Sequence, residues 1–240
     1  MIENAGGVIG LELFGSSTGG SQLDGLLLTD KTAATIYYPH VAGTGWWTGI
    51  VAYNPSDSAC TITVSPYSSQ GDPLSPSTLL IPGKGKYIGV VGDLGLPAQT
   101  AWFKIDSTRP LSGFELFGTG DGNQLAAYAG GGATGAKAGV FAKVEKNGWT
   151  GIAFVNTEAT AASVTLAAYT DNGTMVATQT LSIGGYAKVV NYAEALFSQN
   201  ISSATYIVYW SNRNIVGFQL NGSADGTMLD GLPAMSGQAY

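Results

Sequence analysis

The chain has 240 residues, of which only 11% are charged, with 10 Lys and Arg against 16 Asp and Glu and a net charge of −6; 45% are apolar and 35 are glycine. Ten scattered cations do not form a phosphate-binding surface, which argues against nucleic acid, and the apolar content is enough to bury a core, which argues against disorder. No Gly-X-Y period and no apolar run of the ~18 residues of a membrane-spanning helix is present, and the length leaves room for one large domain or two small ones.

The chain opens on Met1-Ile2-Glu3-Asn4, with neither a basic n-region nor an apolar h-region, so no signal peptide is expected within this segment. The first patterned stretch is Ile9-Gly10-Leu11-Glu12-Leu13-Phe14-Gly15, followed by Gln22-Leu23-Asp24-Gly25-Leu26. It reads as a hairpin within residues 1–29. The next unit, residues 30–129, holds Trp47-Thr48-Gly49-Ile50-Val51-Ala52-Tyr53-Asn54 and then Thr61-Ile62-Thr63-Val64, which alternates polar and apolar as a half-buried strand does. A turn at Gln70-Gly71-Asp72-Pro73 follows, then strands around Thr78–Ile81, Tyr87–Val91 and Ala101–Ile105. The unit closes on a second hairpin, Ser112-Gly113-Phe114-Glu115-Leu116-Phe117-Gly118 and Gln124-Leu125.

After a glycine-rich linker at 130–136 the same text recurs over 137–235, ahead of a tail at 236–240. Trp149-Thr150-Gly151-Ile152 follows Trp47-Thr48-Gly49-Ile50 by 102 residues, and Tyr169, Gly173, Lys188 and Leu196 keep that spacing from Tyr67, Gly71, Lys86 and Leu94. Gly217-Phe218-Gln219-Leu220-Asn221-Gly222 then repeats the hairpin at a spacing of 104. The chain thus contains two repeat bodies and three terminal hairpins, as expected of a segment from a longer array or of a unit whose hairpin packs on the next body. The fold expected is all-β, with two tandem antiparallel β-sandwiches of about 100 residues, each of seven or eight short strands; an eight-stranded closed barrel is the alternative. Helical signal is confined to Tyr192–Phe197 and a weaker counterpart at Val91–Leu96. Gly15, Gly118 and Gly222 share one hairpin position, where a bulge or a positive φ is expected.

Chemistry is sparse. His40 is the single histidine, without a Gly-x-Ser-x-Gly elbow to support a triad. Cys60, the single cysteine, falls in a strand and reads as a small buried hydrophobe. Glu12 and Glu115 occupy one repeated hairpin position that carries Gln219 in the last copy, which fits a recurring hydrogen bond better than a catalytic carboxylate pair. No cofactor is expected. Asp121 and Asp225 stand at equivalent Asp-Gly turns; Ca²⁺ is the weak metal reading there, and a hairpin turn is the simpler one. Trp46, Tyr37 and Tyr38 are the aromatic residues proposed to contact a ligand by stacking. Trp47 and Trp149, shared by the repeats, read as core. Arg109 and Arg213 read as structural hydrogen-bond or ion-pair residues. Leu11, Leu13, Phe14, Leu23 and Leu26 form the hairpin expected to mediate assembly.

The signature carried by Trp149–Asn156, Val164–Gly173 and Gly113–Gly118, with counterparts over Trp47–Gly71 and Gly217–Gly222, resembles tandem β-sandwich repeats at the ends of large secreted or cell-surface bacterial proteins. Pro66 and Asn221 depart from the pattern. The resemblance implies an extracellular or cell-surface setting and modular binding or spacing, and brings no catalytic residues with it. The functional expectation is a non-enzymatic structural or adhesive module that assembles with neighbouring repeats or other copies of itself by strand or hairpin addition, as in a filament. A carbohydrate-binding module using exposed Trp and Tyr is the alternative, and a hydrolase with a deep cleft a third class.

Overall fold

A computed structural model describes residues 10–16, 22–130 and 135–236. The first hairpin is β1 (Leu11–Gly15) and β2 (Leu23–Leu27). It is followed by β3 (Ala33–Tyr38), β4 (Trp46–Tyr53), β5 (Cys60–Tyr67), β6 (Ser77–Ile81), β7 (Lys86–Val90), β8 (Trp102–Thr119) and β9 (Leu125–Ala129). The later strands are β10 (Ala136–Phe141), β11 (Gly148–Asn156), β12 (Ala162–Tyr169), β13 (Met175–Ile183), β14 (Lys188–Tyr192), β15 (Tyr206–Ser223), β16 (Leu229–Pro233) and the short β17 (Met235–Ser236). The chain is all-β; two single 3₁₀ turns, Val91–Leu94 and Glu194–Leu196, lie where the helical signal stood. Of the expected linker, residues 131–134 lie outside the described residues, as do 237–240 of the tail and 1–9 and 17–21 of the first segment.

The strand from Trp102 and the first strand of the terminal hairpin, expected as separate elements, are one strand, β8, of 18 residues. Its first half pairs with β3 and β5, and its second half with β4 and β9. Thr108, Arg109 and Pro110 lie between the two ladders and are exposed, so Pro110, which has no N–H to donate, sits where no ladder bond is needed. The result is two four-stranded sheets sharing one strand, β6-β5-β8-β3 and β7-β4-β8-β9. Alternating inward residues of both fill one core, with Ile36 and Tyr38 from β3, Ile50 and Ala52 from β4, Ile62 and Val64 from β5, and Phe103 and Ile105 from β8. Among the described residues the sheet edges are not paired with each other, so the body is an open-edged sandwich rather than a closed barrel. The second body repeats the order strand for strand, β13-β12-β15-β10 and β14-β11-β15-β16, with β17 added beside β10.

One loop clamp recurs in both bodies. The Asn54 amide donates to the carbonyls of Ser58 (2.9 Å) and Pro82 (3.1 Å), and the Asn156 amide to those of Thr160 (2.8 Å) and Gly184 (2.9 Å). Both asparagines are fully buried. Their repetition at the end of the Trp-Thr-Gly-Ile strand therefore has a structural cause.

The glycine at the hairpin position needs neither a bulge nor a positive φ. A Cβ on Gly118 would lie 2.2 Å from the Trp47 ring, and one on Gly222 would lie 2.2 Å from the Trp149 ring. Each indole lies flat over its glycine in the cross-strand partner, and a side chain there would displace it. Trp47 and Trp149 are accordingly half-buried at the sheet surface rather than core residues.

Candidate functional site

The densest chemistry lies in the seam between the two bodies. Phe117 and Tyr128 from the first terminal hairpin pack on Ala153, Val216 and Phe218 of the second body, with Tyr37, Ala42 and Leu220 at the margin. Phe117 and Phe218 stack at 5.4 Å with ring planes 10° apart. The His40 ring, following β3, lies against both, 5.5 Å from Phe117 and 5.8 Å from Phe218.

Into this apolar layer β14 sends Lys188. Its ammonium meets His40 Nδ1 and donates to the carbonyl of Ala101 at 2.9 Å, while its main-chain N–H donates to Ser69 at 2.9 Å. Burial brings the Lys188 amine down from 10.5 to about 7, with Glu115 opposing the fall. Glu115, on β8, is fully buried, and neither of its oxygens has a hydrogen-bond partner of ordinary geometry. Burial raises its carboxyl well above the usual range; the Lys188 charge and the His40 backbone offset this only in part. His40 is held well below its ordinary value of 6.5, first by burial and then by Lys188. A neutral imidazole accepting from Lys188 satisfies both residues and leaves His40 no free role as a base toward solvent.

A second contact flanks the first. The Trp102 indole donates to the carbonyl of Tyr186 across the seam at 2.9 Å, and Tyr67 stacks on Trp102 at 4.3 Å and tilts against Tyr186 at 5.3 Å. The turn around Gly71 approaches the second body so closely that a Cβ there would lie 2.1 Å from the Gly185 carbonyl oxygen.

The three hairpins stack in series, with β2 against β9 and β9 against β16. Gln22 donates to the Gln124 carbonyl at 2.9 Å, and Gln124 donates to that of Met228 at 2.9 Å. Phe14 stacks on Phe114 at 6.2 Å, and in repeat-equivalent positions Phe117 stacks on Phe218. Asp24 accepts from the Ala127 N–H, and burial raises its carboxyl to about 6. One contact set is used twice, in one direction.

The other expected site residues are placed as follows. Trp46 lines a cavity of about 300 Å³ at the seam with His40, Phe117, Trp149, Tyr192 and Phe218. Tyr37 belongs to the aromatic stack on Trp102. Tyr38 is corrected from ligand contact to core: it is 0% exposed, and its hydroxyl donates to the Val51 carbonyl at 2.9 Å. Leu11, Leu13 and Leu23 are exposed, while Phe14 and Leu26 are partly covered. Asp121 accepts from Asn123, and Asp225 from Ser223 and Thr227, in exposed hairpin turns. Among the described residues no group of three His, Cys, Asp or Glu could hold a metal ion, and no helix is long and apolar enough to cross a membrane. Arg213 pairs with Glu158 at 3.5 Å, Arg109 is exposed and Cys60 is buried. In the sequence Lys188 reads only as a repeat match, and nothing local marks it as buried. Its partner Lys86 is exposed, so lysine at this position carried no signal of burial.

No family model matches the chain, and no curated protein matches it. Among solved structures it is similar to Thermotoga maritima 1070, with a TM-score of 0.38, 14% identity, and coverage of 45% of this chain and 99% of that one. It is similar to the Anabaena sensory rhodopsin transducer at a TM-score of 0.28, 18% identity, 36% of this chain and 94% of that one. A candidate secreted protein of Parabacteroides distasonis gives a TM-score of 0.21, 8% identity, and 95% and 84% coverage. Likenesses this weak assign no function.

Proposed function

We propose that this chain is a non-enzymatic extracellular structural or adhesive module, a directional β-sandwich array whose bodies are coupled through stacked terminal hairpins. The observation that carries the reading is the use of one contact set twice, Gln22 and Phe14 onto the first body's hairpin and Gln124 and Phe117 onto the second's. A seam of this kind transmits force and fixes spacing, as in other repeat proteins whose units touch only their neighbours. Against an enzymatic role stand the positions of the candidate groups: Glu115 and Cys60 are buried, and His40 is engaged by Lys188. NMR relaxation tests the coupling: one correlation time for both bodies is expected, and independent tumbling would overturn the reading. Recovery of the native chain from the cytosol rather than the cell exterior would overturn the proposed setting.

Carbohydrate binding is a second reading, favoured by the seam cavity. Trp46, Trp149 and Tyr192 offer ring faces there to the C–H face of a sugar. Glycan-array binding abolished by Trp46→Ala is the expected result, and binding that survives the change would remove this site.

A further inference from the structure

In each body the first strand of the terminal hairpin is a central strand. The second half of β8 lies between β4 and β9, and that of β15 between β11 and β16. Among the described residues β1 pairs with β2 alone, so the edge equivalent to the one β4 and β11 occupy is open. The side chains on that strand record what is missing. Leu11, Leu13 and Gly15 alternate onto one face, as Phe114, Leu116 and Gly118 do in the first body. Gly118 is buried beneath Trp47 of the edge strand, and Phe114, half-buried with Leu116, is covered by Phe14 of the first hairpin, whereas Leu11 and Leu13 are 55% and 64% exposed. Gly15 retains the small residue on which an indole lies in both complete bodies.

We infer that the open edge of β1 is an acceptor for a Trp-Thr-Gly-Ile strand of this repeat's own kind, carried by another body of the same type. It pairs antiparallel, with the Trp opposite Gly15. The two observed pairings give the register, since Trp47 lies opposite Gly118 and Trp149 opposite Gly222. Carried to the first hairpin, that register sets the Gly of the motif against Leu13 and its Ile against Glu12. An added strand satisfies the edge's backbone groups, and its indole lies over Gly15 as the indoles of the complete bodies lie over Gly118 and Gly222. The occupant cannot be this chain's own β4 or β11 in place, because both are already paired on two sides. The inference deepens the directional-array reading and rests on it.

The test uses the full chain and a fluorescently labelled peptide of residues 147–156. Saturable one-to-one binding is expected, with slowed amide exchange over residues 11–15 and a loss of at least about tenfold in affinity when the peptide carries Trp149→Ala. No binding, equal binding of a scrambled peptide, or protection confined to other edge strands overturns the inference. The substitution is placed on the peptide because a Cβ on Gly15 would itself meet the Gln22 carbonyl oxygen at 2.4 Å. The same exchange experiment separates the two readings. Slow exchange at Ala127, whose N–H meets Asp24, shows that the hairpins stack; with that contact intact, a silent peptide sinks only the acceptor proposal.

Discussion

The two bodies share a strand map and differ at the hairpin face that the first body turns toward the second. In the first, Glu115 and Phe117 meet the second body, and Glu115 is buried without a hydrogen bond of ordinary geometry. In the second, Gln219 and Asn221 stand in the same places and satisfy much of their bonding locally. Gln219 donates to the Lys143 carbonyl at 2.8 Å and to Asn221 Oδ1 at 3.0 Å, and the Thr150 hydroxyl donates to Asn221 at 2.8 Å. An aromatic and a carboxyl suit a face that a neighbour covers and supplies with a cation. The two amides bond within their own body, although Gln219 Oε1 and Asn221 Nδ2 stay buried without a partner. The same strand map thus carries two different hairpin faces, which differ in this pair of residues.

Removing Phe117 breaks that difference most severely. Phe117→Ala deletes a fully buried ring and its stack on Phe218, with an expected loss of about 3–5 kcal/mol in denaturant unfolding, together with loss of common tumbling. The mirror change, Asn221→Phe, removes the Thr150 and Gln219 bonds and overfills a buried site; a loss of roughly 1–3 kcal/mol is expected, without any gain in coupling. Asn54→Ala and Asn156→Ala probe what the bodies share. Each strips the same loop clamp, so losses of roughly 1–3 kcal/mol, similar in the two bodies, are expected by hydrogen exchange of the adjoining loops.

Glu115→Gln makes the first body resemble the second, and its signature is a pH slope. The native carboxyl stays protonated above the ordinary value of 4.5. It stabilises the fold fully below that pH, and the contribution is lost as pH rises toward the raised native value. Melting temperatures of variant and native protein should therefore move apart in the variant's favour as pH rises above about 4.5. Lys188 has the opposite sign. Its depressed amine costs stability as pH falls from 10.5 to about 7 and no further below, so Lys188→Met should flatten the alkaline limb. The smallest effect is expected from Ca²⁺, which should leave melting unchanged because the Asp121 and Asp225 carboxylates already accept hydrogen bonds within their own turns.

Repetition made the fold legible. The recurring Trp-Thr-Gly-Ile strand, the Asn that ends it and the hairpin glycines each proved to have a structural cause that a two-fold comparison could locate. The seam was legible only in reverse. Several of its residues break the repeat: His40 and Trp46 have no counterpart, and Glu115 and Phe117, which match Glu12 and Phe14, become Gln219 and Asn221 in the last copy. Of the aromatic residues expected to contact a ligand, Trp46 lines the cavity while Tyr38 lies in the core. A Tyr and a Phe fill equivalent core positions in β3 and β10, and only packing reveals that the hydroxyl is spent on Val51. The buried Lys188 was invisible because burial here is a property of the neighbouring body, not of local sequence.

The 18-residue strands β8 and β15 impose an order of events on folding. Each is the centre of both sheets in its body, yet each follows five of the strands it must organise. In the first body the β6-β5-β8-β3 sheet cannot be completed until the chain has run to residue 111, and the other sheet must wait for β9, which ends at 129; in the second body the corresponding positions are 215 and 233. During synthesis the preceding strands wait without their template, which makes formation slow and leaves edges open to the wrong partner.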